Sequence, residues 1–168
     1  MVKKETSQRK IDSYFNYYSE KFPNLNSKII NGICAIGMYF GLLGLSWSIP
    51  FPHFNFLGQY NSYFNWASFV IAFSIYYYSK LSPLLSYLML FLALVFTYVI
   101  SLLASYQLKN GLIAVQFYFL ILFVCGLVHY LAYKTSGKSS TLKMELLFIL
   151  IGPIWVFHFM LKKFNIRY

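Results

Sequence analysis

The chain has 168 residues, of which 59% are hydrophobic and 11% charged. Soluble domains carry about 25% charged residues, so one domain dissolved in a bilayer is expected rather than a water-soluble fold. The net charge is +10, but the basic residues cluster at the ends and in one loop. That placing favours anionic lipid headgroups over nucleic acid as their partner.

In chain order, residues 1–28 read as a basic tail and an amphipathic helix. The tail holds Lys3, Lys4, Arg9 and Lys10. Ile11, Tyr14, Phe15, Tyr18 and Phe22 then fall on one helical face. Thr6 or Ser7 is the expected cap and Pro23 the stop. The aromatic stripe suits a helix lying in the membrane interface or one packed on the protein's own bundle. The polar start through Lys28 argues against a cleavable signal peptide, and residues 24–27 read as a turn.

Residues 29–168 form the membrane domain, with apolar segments at about 29–49, 65–78, 84–106, 112–133 and 144–161. In the first, Gly37, Gly41, Gly44 and Ser48 share a face. Small residues there let another helix of the same bundle approach closely. Pro50 and Pro52 end this segment, and an aromatic loop with His53 follows, as in an interfacial belt. Tight turns at Lys80–Pro83 and Lys109–Gly111 separate the next segments. A basic loop, 134–143, carries Lys134, Lys138 and Lys143. The fifth segment contains Pro153, which removes a backbone donor at its centre. Cys34 and Cys125 lie inside apolar runs with no CxxC or Cys/His cluster, so neither a disulfide framework nor a zinc site is indicated.

Charge sets the expected topology. If the N-terminus is cytoplasmic, segments one to four cross and segment five does not, thirteen of the 14 Lys and Arg lie inside, against Lys109 outside. Full crossing by segment five gives a split of ten to four. The positive-inside rule prefers the first arrangement. The fold expected is an all-α polytopic membrane helix bundle. It has four crossings, a proline-broken fifth segment that is re-entrant or interfacial, and an N-terminal interfacial helix.

The ionisable groups at membrane depth are His129, Glu145 and His158, and such groups are costly and often functional. Two histidines and a carboxylate are the ligand set of many non-haem iron sites. The alternative is a histidine satisfied by a carbonyl or water, beside a glutamate that snorkels to the interface. Phosphate-binding glycine loops, GxSxG elbows and HExxH helices are absent.

Gly152-Pro153-Ile154-Trp155, Lys162-Lys163 and the terminal Ile166-Arg167-Tyr168 carry a resemblance. So do Ile11–Phe15, Asn24–Cys34, Tyr77–Pro83 and Gly137-Lys138. Together they resemble the bacterial branch of a small membrane family whose fungal member is a 2-hydroxy fatty acid dioxygenase. The resemblance implies Fe(II)- and oxygen-dependent removal of one carbon from a 2-hydroxy fatty acid, and a place in the bacterial inner membrane. It also implies iron-binding histidines at three places that here hold Phe22, Asn31 and Tyr133. The metal site is then either rebuilt around His129, His158 and Glu145 or lost. With the site lost, the chain is a non-catalytic membrane protein that binds lipid or acts in assembly. A transporter is disfavoured by the scarcity of polar residues in the spans and by the lack of inverted repeats.

Overall fold

The computed structural model describes residues 9–52, 54–55, 58, 64–110, 114–135 and 142–166. The tail residues Thr6 and Ser7, His53, the Gly137-Lys138 pair and Arg167-Tyr168 lie outside them. The described residues form six helices: α1 (Lys10–Lys21), α2 (Leu25–Ser48), α3 (Trp66–Leu81), α4 (Pro83–Asn110), α5 (Ala114–Thr135) and α6 (Leu142–Lys163). No strand occurs among the described residues. This is the all-α membrane bundle expected. Helices α2, α4, α5 and α6 are each long and apolar enough to cross a bilayer. Large apolar side chains such as Phe91 and Tyr98 are about two-thirds exposed on α4, at 68% and 66%. Lipid is the natural solvent for such a surface.

Local chemistry explains the boundaries. Arg9 occupies the N-cap of α1, and its guanidinium pairs with Asp12 at 3.0 Å in the first turn. Helix α2 begins at Leu25 with Asn24 as its N-cap, so the turn expected over 24–27 shrinks to Pro23 and Asn24. The Asn65 side chain caps α3 by accepting from the Ser68 amide at 3.0 Å. Pro83 opens α4 at the one helical position where its missing N–H costs nothing.

Pro153 does not interrupt α6, which runs on through it. It has no N–H to offer the Ile149 carbonyl. The next carbonyl, Leu150, accepts a hydrogen bond of 2.8 Å from the Tyr78 hydroxyl of α3. The surrounding helices thus hold this stretch in place, and packing outweighs the local propensity to break.

Helices α2 and α5 run antiparallel and very close. Gly37 faces Cys125, Gly41 faces Leu122, and Gly44 faces Tyr118. The glycine stripe is therefore internal packing, as expected. This pairing puts the start of α2 and the end of α5 at the same end of the bundle. Helix α6 is tied to that end twice. Its first turn reaches His129 of α5 through Glu145, and its last turns lie on the start of α2, with Val156 against Gly32 and the Phe159 ring near the Lys28 ammonium.

Helix α1 lies along α6. Its stripe of Ile11, Phe15, Tyr18 and Phe22 is buried inside the protein. Of the two placements open for that stripe, it packs on the protein's own bundle. The Trp155 indole donates to Ser19 at 3.2 Å, and the Tyr18 hydroxyl donates to the Met144 carbonyl at 2.9 Å. Burial, and then the Glu145 charge, hold the Tyr18 phenol well above its ordinary pKa, so it remains a donor.

Candidate functional site

Four helices meet where α6 begins. From α1 comes Lys21, only 2% exposed; from α2 comes Asn31, fully buried; from α5 come His129 and Tyr133; from α6 comes Glu145. The Lys21 ammonium pairs with one Glu145 oxygen. The other oxygen faces His129 Nε2 at 2.9 Å. His129 Nδ1 lies 2.7 Å from Asn31 Oδ1.

Hydrogen placement follows from the partners. Asn31 Nδ2 donates 2.8 Å to the Ser27 carbonyl, which can only accept. The amide is thereby turned so that its oxygen faces His129. That oxygen accepts, so Nδ1 carries a hydrogen, and Nε2 is left to share a hydrogen with Glu145. The ring is held flat against Phe148, with centroids 4.0 Å apart and planes 9° from parallel.

With a protonated lysine and one hydrogen shared between His129 and Glu145, the cluster carries one net positive charge. Aromatic faces surround its source. The Lys21 ammonium lies 3.9 Å from the Tyr133 centroid, 5.6 Å from Tyr17 and 5.9 Å from Phe22. A desolvated cation gains about 2 kcal/mol from such a face.

The fold brings together two of the three proposed ligands, His129 and Glu145. His158 instead packs on Phe15, with ring centroids 4.5 Å apart, on the stretch of α6 covered by α1. Among the described residues no three His, Cys, Asp or Glu are grouped closely enough to hold a metal ion. The carboxylate that faces His129 gives its other oxygen to the Lys21 ammonium, a positive charge that an iron(II) ion would meet, and His158 supplies no third donor there.

Phe22, Asn31 and Tyr133, where the resemblance implies histidines, converge on the same centre. Phe22 lies edge-on to His129 at 5.8 Å, Asn31 bonds to its Nδ1, and Tyr133 covers Lys21. The residue that the sequence pattern does not single out is Lys21. Its signal was its spacing: three residues after Tyr18, it falls on the buried face of that helix.

Comparison with family models, with curated proteins and with solved structures found no match.

Proposed function

We propose that this chain is a non-catalytic, lipid-binding member of the dioxygenase-like membrane family. In this reading an ammonium–carboxylate–imidazole latch stands where that family holds iron. The carrying observation is the Lys21 ammonium on Glu145, beside an imidazole whose nitrogens both face hydrogen-bond partners. Support for the family frame comes from Phe22, Asn31 and Tyr133. The resemblance implies histidines at these three positions, and they lie around one buried centre. The latch ties α1, α2, α5 and α6 together.

The reading includes the bacterial inner membrane and a cytoplasmic N-terminus. Lys28 near the start of α2, Lys80 near the end of α3, Lys134 at the end of α5 and Lys162 and Lys163 at the end of α6 gather at one end of the bundle. Contacts of both ends of α6 with that end of the bundle support a helix held on the cytoplasmic side rather than one that crosses. That arrangement keeps the basic residues on one side.

Elemental analysis of the purified full chain tests the proposal. Iron well below one per chain is expected after growth and purification with added iron(II), and His129→Ala and His158→Ala should leave the content unchanged. Iron at one per chain, lost in both variants, would overturn the latch and restore the dioxygenase reading.

A further inference from the structure

Helices α2 and α6 line an apolar groove of about 360 Å³. Small-molecule pockets begin at about 300 Å³. Helix α2 supplies Ile29 and Ile33, α6 supplies Trp155 and Met160, and Gly32 between them has no side chain to fill the floor. The groove opens outward, since Ile33 is 65% and Met160 51% exposed. In a membrane protein that outward side faces lipid tails.

Its lining is apolar except at one place. Lys28 is half-buried at the end nearest the start of α2, and its ammonium lies 5.8 Å from the Phe159 ring. A lysine placed this way lays its stem along the apolar wall and sends its charge to the headgroup level. Two more lysines, the exposed Lys162 and Lys163, lie two and three residues after Met160 in the last turn of α6. The groove is therefore greasy along its length and cationic at one end. That asymmetry matches an acyl chain joined to an anionic head.

We infer that the α2–α6 groove is a defined site for one anionic phospholipid, with an acyl chain between Ile33 and Met160 and its phosphate on Lys28, Lys162 and Lys163. A zwitterionic lipid brings its own cation to this end and gains less there. The inference deepens the lipid-binding role proposed above. It is separable from it, since a chain that holds iron and still selects this lipid would refute only the latch.

Native mass spectrometry of the full chain, delipidated in neutral detergent, tests the site. The chain is titrated with phosphatidylglycerol, with phosphatidylcholine of the same acyl chains, and with oleate. One phosphatidylglycerol should bind at about tenfold lower concentration than either competitor. Lys28→Gln should erase that preference and Lys28→Arg keep it, while Lys80→Gln, on α3, should leave it intact. Equal uptake of the two phospholipids would overturn the inference. So would uptake of oleate equal to that of phosphatidylglycerol, which marks a fatty acid site. An equal loss in Lys80→Gln and Lys28→Gln would also overturn it, because that marks diffuse surface charge.

Discussion

Glu145→Leu is expected to lower the melting temperature of the detergent-solubilised chain by about 10 °C. Lys21 is 2% exposed, and Glu145 is the counter-charge the fold gives it. Removing one partner of a buried ion pair costs about 3–5 kcal/mol, because the other charge is left without compensation. For a chain of this size each kcal/mol moves the midpoint by about 2–4 °C. The same substitution takes the partner of His129 Nε2. Lys21→Met is the milder change, since Glu145 keeps His129 and is 27% exposed at its side chain. The double variant Lys21→Met/Glu145→Leu should recover most of the loss, as apolar replacements of whole buried pairs often do. Melting followed by tryptophan fluorescence gives the double-mutant cycle directly. A Glu145→Leu single variant within about 2 °C of the parent, the range of an ordinary surface change, would mean that the latch carries no stability.

Much of the frame was legible because bilayer physics is coarse. Long apolar runs between Pro, Asn and Lys punctuation mark helices whatever their partners, and the five segments appear as α2 to α6 with shifted ends. The largest shifts are at helix ends: α2 gains a turn before Ile29, with Asn24 at its N-cap, and α4 runs four residues past Tyr106 to Asn110. Pro153 was read as a break because a lone helix loses a hydrogen bond there. The fold instead packs α1, α2 and α3 around that point, and packing of this kind has no signature in a one-dimensional pattern. The site was half legible. His129 and Glu145 stand out as rare ionisable groups in apolar runs, and their meeting follows from α5 and α6 being joined at one end. His158 stands out equally but faces Phe15. Which side of α6 a residue presents depends on where α1 lies, and the sequence leaves α1 open between lipid and bundle. Lys21 was lost for the same reason: a lysine in a basic N-terminal segment looks like any other until its helix is docked.

The placement of α1 and the latch in turn depends on how closely α2 and α5 approach, and Gly44 tests that approach. A Cβ built on Gly44 would sit 2.1 Å from Cδ1 of Tyr118 and 2.4 Å from its Cγ. Cγ is the root of the ring, so turning the ring about its own axis does not clear the contact. The whole side chain must leave its rotamer, yet Tyr118 is 1% exposed and packed edge-on against Phe40, with ring centroids 5.8 Å apart. Gly44→Ala should therefore cost about 1–3 kcal/mol by overpacking, despite the gain of up to about 1 kcal/mol that alanine brings to a helix interior. Gly126→Ala, on the facing helix, is the matched control. Its Cβ meets nothing within 4 Å, so only the helix gain remains and the midpoint should hold or rise. The difference between the two variants isolates the α2–α5 contact from the effect of a methyl group in a helix. A stripe used only between copies of the chain would show its penalty as a loss of oligomer at unchanged monomer stability. A lower melting midpoint in the monomer, confined to Gly44→Ala, assigns the contact to the inside of one chain.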